Sequence, residues 1–173
     1  DALIGVNYTV GFTARKRELT QPHENIRTIA TKIFPMAEKN EVALLFGNEK
    51  NGLSNDEIKH CQILSFIDAS KDYSSLNLSQ AVQIVCHEIR MMTALCFNND
   101  IIKITPPKYV SHNILDGFFN HLESVLDQIG FLKKIQAERL MQRLRLMFNR
   151  INLDKDEVNI LRGILSEIQK KIK

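Results

Sequence analysis

Apolar and polar positions alternate in three distinct rhythms along the chain. Tyr8-Thr9-Val10-Gly11-Phe12 has the β-branched and aromatic make-up of a short strand, broken after Thr13-Ala14 by the basic run Arg15-Lys16-Arg17. Pro22 suits the first turn of a helix, and Ile26, Ile29, Ile33 and Phe34 recur at helical spacing as far as about Asn40. Val42 to Phe46 is an unbroken apolar run of strand length, the pattern of a parallel strand covered on both faces. Ser54 with Glu57 three residues on forms a capping box that starts a short helix ending near His60. Ile63 to Ile67 reads as the next strand, and Leu78 opens a long helix with the stripe Ala81, Val82, Val85, Ile89 and Met92, ending near Asn98-Asn99. This alternation of strand and helix predicts an α/β domain with a mainly parallel sheet.

The rhythm then changes. Residues 98–110, with their amides and the pair Pro106-Pro107, read as a linker. Beyond it the period is helical throughout. Leu115, Phe118, Phe119, Leu122, Val125, Leu126 and Ile129 line one face; Leu140, Leu144, Met147 and Phe148 a second; Val158, Leu161, Ile164, Leu165 and Ile168 a third. Three amphipathic helices jointed at Gly130 and Asn152-Leu153-Asp154 predict a small all-α extension. The expected division is therefore an α/β part over 1–98, a linker over 99–110 and a helical extension over 111–173.

Length and charge sharpen this picture. A chain of 173 residues with 44% hydrophobic and 25% charged side chains supports one sizeable core with an appendage. The longest apolar runs are far too short to cross a membrane, and no secretory signal is legible, because the early basic residues follow the apolar stretch. Three cysteines without CxxC spacing argue against a disulfide framework or a zinc site and suit reduced thiols in a cytoplasmic protein. Residues 1–100 hold ten basic and twelve acidic side chains, whereas residues 101–173 hold thirteen basic and eight acidic ones. Lys133, Lys134, Arg139, Arg143, Arg145 and Arg150 stand against a single Glu138 within 131–150. Such a basic segment suits a polyanionic partner or an ordinary solvated helix face.

Two loops carry the candidate chemistry. Phe46-Gly47-Asn48-Glu49-Lys50-Asn51-Gly52-Leu53 empties a strand into a loop with two glycines and a carboxylate. Ser74-Ser75-Leu76-Asn77 packs hydroxyls and an amide at a helix N-terminus, fit for capping or for a carboxylate, ribose or purine edge. The step from Gly47 to Gly52 matches a phosphate loop, but Leu53-Ser54 stands where Lys and Ser/Thr belong, and GxGxxG is absent. No nucleophile–base arrangement is legible. The five histidines lack ligand spacing, His87 reads as a packed side chain, and no metal is expected.

Together the loops resemble motifs 2 and 3 of the SpoU (TrmH-type) branch of the SPOUT RNA methyltransferases. Residues 46–53 resemble the FGxExxGL motif; Ser75-Leu76-Asn77-Leu78 with Ala81-Val82 resembles SLNxxxAxx. The resemblance extends to the TrmJ-type tRNA ribose methyltransferases through Phe12-Thr13-Ala14-Arg15, Leu140 to Arg145 and Asn159 to Leu165. It implies a deep trefoil knot and S-adenosylmethionine bound by Phe12, Thr13, Ala14, Gly47, Ile67, Ser74, Ser75 and Leu76. It further implies Glu49 and Asn77 as supporting residues, with Ile67 packed on the adenine. The implied activity is 2′-O-methylation of cytidine or uridine at nucleotide 32 of the tRNA anticodon loop, by a homodimer. Another RNA such as ribosomal RNA, or a non-catalytic knotted RNA-binding module, is the alternative. The expected RNA contacts are Arg15, Arg139, Arg143 and Arg150. One departure stands out: no Asn/Gly/Arg segment matches the family's motif 1, so its arginine is expected upstream of Asp1 and the catalytic base has no candidate here.

Overall fold

The computed structural model describes residues 2–15, 22–69, 76–98, 106–133 and 135–172. Four strands, β1 (Tyr8–Phe12), β2 (His23–Asn25), β3 (Val42–Phe46) and β4 (Ile63–Phe66), form one sheet in the order β2-β4-β1-β3, every neighbouring pair parallel. The period-two alternation of β1 divides the core. Tyr8, Val10 and Phe12 join Ile63 in a cluster with Ile26, Ile29, Ile33 and Met36 of α1 (Ile26–Met36) and Val85 of α3 (Leu78–Asn98). On the other face, Leu64 meets Leu53, Cys61 and Ile58 of α2 (Asn55–Ile58). Gly11 points to that second face, where an added Cβ would stand 2.8 Å from the Cys61 Sγ. The sheet is thus covered by α1 and α3 on one side and by the short α2 on the other.

The capping box is present in full: Ser54 and Glu57 exchange backbone and side-chain hydrogen bonds, and the Ser54 N–H and hydroxyl hold the Glu57 carboxyl below its usual range. One expectation is corrected. Pro22 does not open a helix; His23–Asn25 adds a short outer strand against β4, and α1 begins at Ile26 with the Asn25 side chain accepting from the Arg27 N–H. Three residues spent on main-chain pairing outweigh a proline's preference for a first turn. β3 is covered on both faces as its apolar run implies, with Val42, Leu44 and Phe46 against the α1 and α3 side and Leu45 against the α2 side, though it is only half-buried along its length.

Helices α4 (His112–Gln128), α5 (Ala137–Asn149) and α6 (Lys155–Ile172) enclose a separate core of Leu115, Phe118, Phe119, Val125, Leu153, Val158 and Leu165, with Phe148 set edge-on against Phe118. This unit is tied to the sheet through main chain and amides. The Val6 carbonyl accepts from the His112 N–H at 2.7 Å, Asn7 donates to the Tyr109 carbonyl, the Asn40 side chain accepts from the Tyr109 N–H, and Asn149 donates to the Lys59 carbonyl. The inward face of α5 differs from the sequence expectation. Met141, Leu146 and Asn149 are buried, Leu140 and Leu144 are half-buried, and Met147 is exposed. The turn inward of Arg145 and Asn149, each bonded across an element, rotates the helix away from its purely apolar seam. On α6, Ile164 and Ile168 are likewise exposed while Val158 and Leu165 are buried.

Candidate functional site

The C-terminal ends of β1, β3 and β4 open into one cleft of about 250 Å³, lined by Phe12, Thr13, Ala14 and Arg15, by the loop from Phe46 to Gly52, by Ser65 and Ile67, and by Leu76, Leu78 and Ala81. A parallel sheet leaves its ligand site at this edge because the crossover connections return from it. The floor follows from register. Phe12 pairs with Phe46 on one side and with Ser65 on the other, so the three side chains share one face; the two rings stack at 4.7 Å and 7°.

The loop after β3 is a closed turn. Gly52 N–H donates to the Asn48 carbonyl at 2.8 Å, Asn51 N–H donates to the Asn48 side chain at 2.7 Å, and Gly52 takes a left-handed φ of 64°. Gly47 sits where the loop folds back on itself: a Cβ there would fall 1.9 Å from the Gly52 carbonyl carbon. No side chain fits. Glu49 reaches from this turn to the start of α3, where its carboxylate accepts from the Leu78 N–H at 3.4 Å. Asn77 caps the same helix, accepting from the Ser79 N–H and hydroxyl at 2.9 and 2.7 Å. Both residues hold a helix N-terminus, whose free N–H groups and dipole favour such oxygens.

Of the residues singled out in the sequence, Phe12, Thr13, Ala14, Arg15, Gly47, Glu49, Ile67 and Leu76 line this cleft. Asn77 stands beside it at the helix start, and Ser74 and Ser75 lie outside the described residues. Arg139, Arg143 and Arg150 are exposed on the outer side of α5, away from the cleft lining. Arg145 is not part of that surface: it grips Asp116 at 2.6 Å and lies 4.5 Å over the Phe119 ring. Ser65 is a lining residue that the sequence reasoning misses, although a lone hydroxyl inside the run Ile63-Leu64-Ser65-Phe66-Ile67 is a visible signal.

The histidines also differ from their sequence reading. His87 is exposed, not packed. His60 and His112, far apart in sequence, meet at 3.0 Å between Nδ1 and Nε2, and His112 Nδ1 faces Asp116 at 3.3 Å. Burial lowers both histidine pKa values, and for His60 the neighbouring His112 lowers it further. The donor atoms of His60, His112 and Asp116 lie within 4.8 Å of one another, so this group has the make-up of a metal cluster. Arg145 on the carboxylate, and Lys59 beside His60, put positive charge where a cation would sit. The group is better described as a hydrogen-bonded chain joining α2 to the helical unit. Among the described residues, no helix is long and apolar enough to cross a membrane.

Comparison with known proteins agrees with this architecture. Residues 8–87 match the model of the SpoU rRNA Methylase family, and residues 113–173 match the C-terminal domain of the tRNA methyltransferase TrmJ. The tRNA (cytidine/uridine-2'-O-)-methyltransferase TrmJ of Photorhabdus laumondii is 37% identical over 169 residues, covering 98% of this chain and 70% of that protein. Its counterpart in Citrobacter koseri is 38% identical over 174 residues, covering 100% of this chain and 72% of that protein. The crystal structure of TrmJ from Z. mobilis superposes with a TM-score of 0.81 at 26% identity, over 97% of this chain and 70% of that one. A probable methylase family protein from Haemophilus influenzae superposes at 0.51 with 35% identity, over 97% and 68%. With both parts of the chain matched by one kind of relative, it belongs to the TrmJ branch of the SpoU methylase family.

Proposed function

We propose that this chain forms the cofactor pocket and tRNA-holding part of an S-adenosylmethionine-dependent tRNA 2′-O-ribose methyltransferase acting on cytidine or uridine at nucleotide 32. The observation that carries this reading is the pairing of a glycine-turn cleft at the sheet edge with an exposed basic helix, both in a chain matched over its whole length by relatives named tRNA (cytidine/uridine-2'-O-)-methyltransferases. The residues present fit the cofactor. The cleft combines an aromatic floor (Phe12, Phe46), an apolar wall at Ile67 and Leu76, and at Ser65 a buried hydroxyl without a partner among the described residues.

When bound, the cofactor supplies the methyl group as a sulfonium electrophile. The protein's own contribution is positioning. In this reading the turn from Gly47 to Gly52 and the segment from Phe12 to Ala14 hold the nucleoside, with Leu76 at its edge and Ser74 and Ser75 as further cofactor contacts. Glu49 and Asn77 fix the start of α3 and so the spacing between the two loops. Arg15, on the exposed rim of the cleft, and Arg139, Arg143 and Arg150 take RNA phosphates, which orient a substrate without reading its bases. The fold is a deep trefoil knot of the SPOUT kind. The enzyme works as a cytoplasmic homodimer whose contact uses α3, where Val82, Met91 and Leu95 leave apolar surface exposed. Activation of the ribose hydroxyl falls to an arginine of the motif 1 segment, which has no match in these residues.

Methylation of unmodified tRNA by the full-length protein with labelled S-adenosylmethionine tests the reading. Label at nucleotide 32 is the expected result. Label in ribosomal RNA only would reassign the substrate, and none in either RNA would leave a binding module. Replacing Arg139, Arg143 and Arg150 with alanine should weaken tRNA binding and reduce its salt slope by roughly 0.7–0.9 log units for each phosphate the variant no longer neutralises. An unchanged slope would make the basic face a solvated surface.

A further inference from the structure

Ser65 lines the cleft, and the proposed function gives its hydroxyl no task. It is fully buried, and its backbone carbonyl is already used by the Thr13 N–H at 2.9 Å. Its hydroxyl has no hydrogen-bond partner among the described residues. A buried hydroxyl in that state has lost its water without compensation, so an alanine would be the better residue for the free protein. The register explains where the group looks. Phe46, Phe12 and Ser65 occupy one row across β3, β1 and β4, on the face that carries the stacked phenyl rings. The row is thus two aromatic rings followed by a single hydroxyl.

Burial also sorts the cleft by depth. Arg15, Glu49 and Lys50, which carry its charge, are exposed or half-exposed on the loops, whereas the floor at Phe12 and Ser65 is buried. A ligand with one charged arm and one flat neutral ring would place the arm among the loops and the ring on the floor. The hydroxyl then meets the edge of that ring. A hydroxyl both donates and accepts, which suits a purine edge, where ring nitrogens and an exocyclic amine alternate.

We propose that Ser65 is a specificity-determining residue whose hydroxyl binds the polar edge of the cofactor's purine. This rests on the cofactor reading above, and the two fail separately. The experiment is calorimetric titration of the chain and of its Ser65→Ala variant with S-adenosylhomocysteine and with 5′-methylthioadenosine, which keeps the nucleoside and lacks the amino-acid arm. Thermal unfolding of both proteins without ligand accompanies it. The variant should bind both ligands roughly five- to tenfold more weakly, the worth of one buried hydrogen bond. Its melting temperature without ligand should be equal to the parent's or higher. Equal affinity of variant and parent, within twofold, overturns the assignment. So does a loss confined to S-adenosylhomocysteine, because the hydroxyl would then serve the amino-acid arm. A lower melting temperature with unchanged affinity would make Ser65 a packing residue. A parent chain that binds neither ligand removes the cofactor reading itself.

Discussion

Replacing Gly47 with alanine tests whether the cleft depends on the closed form of its loop. The added methyl carbon would lie 1.9 Å from the Gly52 carbonyl carbon and 2.1 Å from the Leu53 nitrogen. Ordinary contact requires the facing backbone to retreat by about 1.5 Å, because both obstacles are main chain that cannot rotate aside. That movement breaks the hydrogen bonds from Gly52 and Asn51 to Asn48, each worth about 1 kcal/mol net. It also drags Leu53 from the α2-side core, where it is 2% exposed, adding the ~1–3 kcal/mol typical of an overpacked site. The sum is about 3–5 kcal/mol. For a domain stable by about 5–15 kcal/mol the variant still folds, with a melting temperature roughly 10 °C lower. Gly52→Ala is the control. Its φ of 64° penalises a side chain by about 1–2 kcal/mol, but nothing lies within 4 Å of the new atom. Urea unfolding should order the stabilities as parent, Gly52→Ala, Gly47→Ala, and only Gly47→Ala should weaken S-adenosylhomocysteine binding by more than tenfold. If Gly47→Ala unfolds within 1 kcal/mol of the parent, the turn is not closed as described.

Two further outcomes are expected. Because burial depresses the folded-state pKa values of His60 and His112 below 6.5, unfolding takes up protons between those values and 6.5. Stability is therefore full above pH 6.5 and falls as pH drops towards the depressed values, with Asp116 opposing the loss and Arg145 and Lys59 adding to it. A His112→Gln variant should show a flatter melting temperature between pH 7 and pH 5; an equally steep profile would move the titration elsewhere. Cys61, buried with a thiol pKa pushed up to about 12, should resist maleimide labelling until the protein unfolds, whereas exposed Cys86 reacts in the native state; site-resolved mass spectrometry reads the difference.

Much of the fold is legible in the sequence because local signals and tertiary demands agree. The strand from Tyr8 to Phe12, the Ser54–Glu57 box and the helix opening at Leu78 each carry their own boundary residues. Failures fall where a distant partner decides. Pro22 resembles a helix start because nothing nearby shows that His23–Asn25 is needed as a strand beside β4. Helical spacing puts Met147 inside, since nothing local to Arg145 reveals its bond to Asp116 across the bundle. The cleft is legible through Gly47 and Gly52, a residue type that announces turns. Ser65 and the meeting of His60 with His112 are not, because a register and an approach of two distant elements create them, and neither has a sequence spacing.

The strand order also bears on how the chain reaches its native state. β1, the first of the described strands, lies inside the sheet, and both its neighbours come from far downstream: Tyr8 pairs with Val42 and Val10 with Ile63, while the outer β2 pairs His23 with Leu64. Among the described strands none pairs with the next one in sequence through a hairpin, so each ladder closes a long loop before it gains any pairing energy. The helical unit is different: α4, α5 and α6 are joined by short turns, and their packing is comparatively local. Refolding should therefore be biphasic, with amide protection rising first in α4 and α6 and later, together, in β1, β3 and β4. Pulse-labelled hydrogen exchange showing simultaneous protection of both regions would count against this order. The slow step builds the floor of the cleft. Until β4 has docked, Phe12 has no Ser65 beside it, and a nascent chain emerging from synthesis holds no complete cleft before residue 66 has joined the sheet.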